Sequence, residues 1–68
     1  MALSARNRLS GTVTQIRHGD VVSEVTLELD DGQTVTGVIT ENSVERLGLE
    51  TGDEATAVVK ASEVMFEV

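Results

Sequence analysis

The sequence predicts an all-β fold with one short helix. Five short runs rich in Val, Thr and Ile are separated by turns that contain Gly or Asp. The one stretch with helical spacing of its apolar residues lies between the third and fourth runs. The order of three strands, a helix and two strands is typical of a five-stranded, OB-like Greek-key barrel. We therefore expect residues 1–68 to form one small domain.

The first predicted strand covers residues 9–17 and contains two irregularities. Val13 and Ile16 are three residues apart, which breaks the alternation of a regular strand. A bulge near Thr14 and Gln15 would return both side chains to the inner face. Gly11 marks a bend or a close approach of two backbones.

A turn at His18-Gly19-Asp20 leads to the second predicted strand, residues 21–29. Its second half alternates clearly, which predicts that one face is buried. That inward face holds Val21, Ser23, Val25, Leu27 and Leu29. The hairpin turn Asp30-Asp31-Gly32 then leads to a third predicted strand, residues 33–39.

The predicted helix covers residues 41–47. Thr40 is placed as its N-cap, Glu41 complements the dipole of its first turn, and Gly48 fits the position after its last residue. Strands over residues 54–60 and 64–68 complete the predicted barrel, with residues 61–63 as the break between them.

The composition limits how such a small chain becomes stable. A domain of 68 residues buries only about 60% of its unfolded surface, so it is marginal as a monomer. It contains no cysteine and one histidine, so neither a disulfide nor a cluster of Cys or His metal ligands is available. We therefore expect a homo-oligomer without a bound metal cation.

The charge and the aromatic content argue against nucleic-acid binding. The net charge of −7 repels phosphate backbones, and a single Phe offers no platform on which bases stack. The same charge means that an anion site must act locally, through backbone N–H groups and one or two placed cations.

The sequence predicts neither a membrane protein nor an enzyme. It shows no apolar run near the roughly 18 residues of a membrane span and no signal peptide, so we expect a cytoplasmic location. No serine lies in a nucleophile elbow, and His18 is most simply a turn residue.

Two short polar stretches hold a concentration of hydrogen-bond donors. Ser4-Ala5-Arg6-Asn7 precedes the first predicted strand, and Lys60-Ala61-Ser62 closes the fourth. Hydroxyls, an amide, two cations and backbone N–H groups are what a tetrahedral oxyanion requires. The same residues also fit a frayed N-terminus and an ordinary strand end, and the residues alone leave both interpretations open.

Motifs along the chain resemble those of the molbindins, the small stand-alone relatives of the TOBE domains found in molybdate transport ATPases and molybdate-responsive regulators. The matching residues are Ser4-Ala5-Arg6-Asn7, Leu9, Gly11-Thr12-Val13, Ile16, Gly19, Glu24-Val25, Ile39-Thr40, Ser43, Leu47-Gly48-Leu49, Gly52 and residues 60–65. The resemblance covers essentially the whole chain. Its first and last motifs together are the most specific part.

The resemblance implies a hexamer, built as a trimer of dimers, that binds molybdate or tungstate between subunits and uses no cofactor. The implied main pocket takes Ser4, Ala5, Arg6 and Asn7 from one chain and Lys60, Ala61 and Ser62 from a neighbour. A second oxyanion pocket is placed at His18, Gly19, Val21 and Val22, where the adjacent Asp20 opposes a dianion.

The resemblance leaves two roles open. One is intracellular storage or buffering of the oxyanion. The other is a regulatory or interaction module that acts through a partner chain. The 68-residue length, from Met1 to Val68, favours the first.

Overall fold

The computed structural model describes residues 6–68, in which four strands form one antiparallel sheet. The strands are β1 (Asn7–Arg17), β2 (Val22–Leu29), β3 (Thr34–Thr40) and β4 (Glu54–Val59). Their order across the sheet is β3-β2-β1-β4. The fourth strand thus returns to lie beside the first, which is the Greek-key arrangement expected from the sequence.

The predicted fifth strand is not confirmed, because the described chain contains four strands. Residues 61–63 form a 3₁₀ turn (Ala61–Glu63), and residues 64–68 have no strand partner within the described part of the chain. Alternating apolar residues show that a segment favours an extended conformation but not which strand edge it pairs with. The barrel therefore stays open between β3 and β4, the two edge strands of the described sheet.

The bulge predicted in β1 is confirmed. Val13 pairs with Leu27 and Gln15 pairs with Thr26, so one extra residue of β1 lies between them. This shift keeps Val13 on the inner face, where its side chain is only 1% exposed. The expected close approach at Gly11 is also present, because a Cβ atom there would lie 2.2 Å from the carbonyl oxygen of Glu28.

The helix α1 (Glu41–Leu47) begins and ends where the sequence predicts. The Thr40 hydroxyl accepts a hydrogen bond from the Ser43 N–H at 3.0 Å, which is an N-cap contact. Gly48 follows with a φ of 67°, the left-handed conformation that favours glycine at a helix end. Val44 is the helix residue buried against the sheet.

The core of the described chain is thin. Its buried apolar side chains are Val13, Leu27 and Val44, and the inner faces of β3 and β4 are only half-buried. So few buried side chains fit the expectation that the chain needs a partner for stability.

Candidate functional site

Pairing of β1 with β4 brings the described parts of the two polar stretches to one end of the sheet. Asn7 pairs with Val59, at the start of β1 and the end of β4. Arg6 therefore immediately precedes the ladder, and Lys60 immediately follows it. Ser4 and Ala5 lie outside the described residues. The ladder thus places Arg6-Asn7 beside Lys60 in a single chain, although they are more than fifty residues apart in sequence.

Asn7 stabilises this end of the sheet through a side-chain hydrogen bond. Its side-chain Nδ2 donates a hydrogen bond to the carbonyl oxygen of Val59 at 3.2 Å, and the residue is half-buried. An asparagine amide carries two N–H donors and one acceptor oxygen, so one donor remains after this contact. Asn7 therefore fixes the end of β4, from which Lys60 and the following turn leave the sheet.

The 3₁₀ turn after Lys60 leaves two backbone N–H groups without an acceptor inside the turn. Lys60 has an extended backbone with φ −63° and ψ 138°. Its carbonyl oxygen accepts from the Glu63 N–H at 2.9 Å, which closes the turn. The N–H groups of Ala61 and Ser62 precede this bond, so the turn itself offers them no acceptor.

The charge at this end of the sheet differs from that of the chain as a whole. Arg6 and Lys60 are both exposed, and between described residues neither of them makes an ion pair. Two cationic residues, Arg6 and Lys60, therefore flank the same end of the ladder on a chain with a net charge of −7. Glu63 is the nearest acid in sequence, one residue beyond Ser62. The arrangement can hold a small anion through hydrogen bonds and short-range attraction.

The residues of the second predicted pocket are organised around a carboxylate. His18 Nδ1 lies 2.9 and 3.1 Å from the two carboxylate oxygens of Glu41. The Ser23 hydroxyl donates to the same carboxylate at 2.5 Å and accepts from the Gly19 N–H at 3.2 Å. The Glu41 N–H in turn donates to the Val21 carbonyl oxygen at 2.9 Å. Several donors of this turn are therefore already engaged within the chain.

Glu41 is held in its ionised form by these contacts. The hydrogen bond from the Ser23 hydroxyl, followed by the one from His18, lowers the pKa of the Glu41 carboxyl below its ordinary value. Ser23 is 2% exposed, whereas the His18 side chain is 59% exposed. The sequence predicted only one role for Glu41, which was to stabilise the dipole of the first helical turn. The one indication of this network was a serine on the apolar inner face of the second strand.

A separate polar groove crosses β1 and β4 away from both predicted sites. It has a volume of about 320 Å³ and is lined by Ser10, Gly11, Thr12, Asp30, Glu54, Ala55 and Thr56. Its two carboxylates oppose an oxyanion. Within residues 6–68, no group of three or more His, Cys, Asp or Glu side chains is arranged to hold a metal ion. No helix among these residues is long and apolar enough to cross a membrane.

Residues 3–66 match the TOBE domain family. The chain belongs to this family. Molybdenum-pterin-binding protein 2 of Clostridium pasteurianum is 48% identical over 66 residues, which is 97% of each chain. The resemblance drawn from the sequence motifs is therefore confirmed.

Solved structures of relatives share the fold over nearly the whole chain. A molybdate-binding protein from Sporomusa ovata superposes with a TM-score of 0.93 at 37% identity, covering all of both chains. The cytoplasmic molybdate-binding protein ModG, solved with molybdate bound, gives a TM-score of 0.91 at 49% identity. That match covers 96% of this TOBE chain and 46% of the ModG chain.

Proposed function

We propose that this chain binds molybdate or tungstate inside the cell and stores or buffers the oxyanion without chemical conversion. One observation carries the proposal: the described residues of the two donor-rich stretches lie at one end of the β1–β4 ladder, in a fold that also occurs in a protein solved with molybdate bound. The relatives named above are described as binding proteins rather than enzymes, which supports a purely binding role.

The proposed main pocket combines residues 4–7 of one chain with residues 60–62 of a neighbour in a hexamer, a trimer of dimers. Arg6 and Lys60 supply charge, and the Ser4 and Ser62 hydroxyls, the Asn7 amide and the backbone at Ala5 and Ala61 supply donors. Because Arg6 and Lys60 flank the Asn7–Val59 pair at one end of the sheet, a neighbour that packs this end against the chain brings its own Lys60 near Arg6.

Such a pocket discriminates among tetrahedral anions by its size, which separates molybdate and tungstate from the smaller sulfate, and by protonation. A site built only from donors suits a fully deprotonated dianion. A protonated phosphate oxygen needs an acceptor, and in a donor-only pocket it meets another donor instead. We therefore expect molybdate and tungstate to bind more tightly than phosphate.

A second oxyanion pocket is proposed at His18, Gly19, Val21 and Val22. The contacts of Glu41 define what binding there requires, because an incoming dianion must compete with an internal carboxylate for the His18 ring. We therefore expect this pocket to be the weaker of the two. A crystal soaked in tungstate tests both pockets, because the anomalous signal marks each bound ion. Signal at neither stretch would contradict both assignments.

Calorimetric titration tests the proposed function directly. We expect heat of binding with molybdate and tungstate, and at least tenfold weaker binding with phosphate and sulfate. Equal affinity for all four anions would overturn the proposal.

The Lys60→Ala variant tests the main pocket. A lost hydrogen bond to a charged group costs about 1.5–3 kcal/mol, so molybdate affinity should fall by roughly 10- to 100-fold while the oligomer persists. The matched control is Arg46→Ala, which removes one positive charge from the exposed face of α1. Equal loss in the two variants would point to net charge alone, and an unchanged affinity in Lys60→Ala would remove Lys60 from the pocket.

A regulatory or interaction module is the second candidate. It is favoured by the ModG match, in which the same fold accounts for less than half of the longer chain. Light scattering of the isolated protein separates the two roles. A stable hexamer without any partner supports storage, whereas a chain that assembles only with another protein supports the module.

A further inference from the structure

The Glu41 carboxylate is the point at which two side-chain donors of the second proposed pocket converge. His18 Nδ1 lies 2.9 Å from one carboxylate oxygen and 3.1 Å from the other, so one ring nitrogen faces both oxygens. The Ser23 hydroxyl donates to the nearer of these two oxygens. The donors come from the turn after β1 and from β2, and they meet on a side chain that belongs to α1.

Glu41 has the surroundings of a bound anion. Because an ionised carboxylate only accepts hydrogen bonds, both His18 Nδ1 and Ser23 Oγ must donate to it. These bonds lower the pKa of the Glu41 carboxyl, so it is ionised at neutral pH. The side chain of Glu41 is 22% exposed. A small external anion requires the same kind of convergent, partly shielded donors.

The Ser23 hydroxyl is held in position by the backbone of the turn. Its oxygen accepts from the Gly19 N–H at 3.2 Å, while its hydrogen is directed at Glu41. Ser23 is 2% exposed, and a buried hydroxyl without an acceptor costs free energy. The hydroxyl is therefore an anchored donor that any anion reaching this position would satisfy.

We propose that the Glu41 carboxylate fills the second oxyanion pocket as an internal anion and excludes an external anion by holding the His18 and Ser23 donors. The inference rests on the second pocket of the proposed function and names the residue that sets its affinity. Asp20 is exposed, and among the described residues both donors bond to Glu41 rather than to Asp20. The apparent affinity of the pocket is then the intrinsic affinity multiplied by the fraction of molecules whose donors are free.

The same donors define which anions can take the place of Glu41. One ring nitrogen that faces two oxygens, with a hydroxyl on one of them, fits a carboxylate and equally fits one edge of a tetrahedral oxyanion. We therefore expect acetate and formate, as well as molybdate and tungstate, to bind here once the Glu41 carboxylate is removed.

The Glu41→Ala variant tests the inference by NMR. His18 is the only histidine of the chain, so its ring gives one separate set of signals. Titrations with sodium molybdate and with sodium acetate, at constant pH and ionic strength, follow binding at this ring. We expect either anion to bind at least about tenfold more tightly to Glu41→Ala than to the wild-type chain. Such a change requires only that Glu41 holds the donors in about nine of ten wild-type molecules.

Glu45→Ala is the matched control, because it removes one exposed carboxylate from the same helix. It should leave the affinity measured at His18 within about twofold of the wild-type value. Glu41→Gln preserves the size of the side chain and an oxygen that accepts from Ser23, so it protects the fold and should give a smaller increase than Glu41→Ala. Circular dichroism checks that each variant is folded.

Three results would overturn the inference. An equal increase in Glu41→Ala and Glu45→Ala would mean that net charge alone sets the affinity. If Glu41→Ala does not fold, an unchanged affinity in Glu41→Gln counts against the inference in its place. His18 signals that no anion moves in either Glu41 variant would mean that the donors hold no external anion.

Calorimetry of the wild-type chain with molybdate separates this inference from the proposed function. Heat of molybdate binding together with unmoved His18 signals in Glu41→Ala would contradict the inference and leave the main pocket standing. Absence of molybdate heat together with acetate binding at His18 in Glu41→Ala would overturn the proposed function and leave Glu41 as the internal anion.

Discussion

Gly11 is the residue at which the sheet leaves no room for a side chain. A Cβ atom added there would lie 2.2 Å from the Glu28 carbonyl oxygen and 3.2 Å from Leu27 Cγ. The first of these contacts is with backbone, which cannot rotate away. The adjacent strand residue Val13 is almost fully buried. The middle of β1 is therefore packed to its limit, whereas the inner faces of the edge strands are not.

We expect Gly11→Ala to lower the free energy of unfolding by about 1–3 kcal/mol, the usual cost of overpacking. The matched control is Gly37→Ala in β3, where an added Cβ meets nothing within 4 Å. Urea denaturation monitored by circular dichroism measures both variants. An equal loss of stability in the two would show that the contact with Glu28 does not set the cost.

The network of His18, Ser23 and Glu41 joins three elements. His18 follows β1, Ser23 lies in β2 and Glu41 begins α1. The buried Ser23 hydroxyl bonds to Glu41, which fixes the start of the helix on the sheet. The exposed His18 ring adds a second contact from the preceding turn. The position of α1 thus depends on side chains that local helix propensity does not describe.

The Glu41 network predicts an acid-sensitive contribution to stability. The folded-state pKa of Glu41 is lowered, so its contribution is present above its ordinary value of 4.5 and is lost as the pH falls through the folded pKa. We expect Ser23→Ala to raise the pKa of Glu41 and to weaken this dependence. A carbon-detected NMR titration of the Glu41 carboxyl measures the shift.

The control for this titration is Ser10→Ala, since the Ser10 hydroxyl bonds to Thr56 rather than to a carboxylate. It should leave the Glu41 titration unchanged. A Glu41 pKa that does not move in Ser23→Ala would contradict the role of the serine hydroxyl.

At the scale of the whole molecule, net charge and apolar surface have opposite effects on association between copies of the chain. Each chain carries a net charge of −7, so two copies repel each other at long range. The exposed apolar side chains of residues 64–68 favour association through apolar contact. Assembly should therefore depend on ionic strength in a way that reports which of these effects dominates.

We expect sodium chloride to strengthen self-association. Screening reduces the repulsion between the acidic chains, since the Debye length falls from about 30 Å at 0.01 M salt to about 10 Å at 0.1 M. Sedimentation equilibrium at 0.02 and 0.3 M sodium chloride should show a dissociation constant several-fold lower at the higher concentration. A dissociation constant that rises with salt would instead mean that opposite charges hold the copies together.

Most of the strands and the helix could be predicted from the sequence, because they depend on residues that are close together along the chain. Alternation of apolar residues located the four strands, and the spacing of Val13 and Ile16 located the bulge. Thr40 and Gly48 defined the helix, because capping depends on residues only a few positions away. The donor-rich stretches and the family were likewise readable in residues that are contiguous in sequence.

Tertiary structure decided which distant segments meet. Asn7 and Val59 pair although they are 52 positions apart. Glu41, at the start of α1, contacts Ser23 in β2 and His18 in the turn after β1. The 64–68 segment has the alternation of a strand but no partner in its own described chain. The physical reason is that a strand is stable only when another edge satisfies its backbone hydrogen bonds. The identity of that edge is a property of the folded molecule.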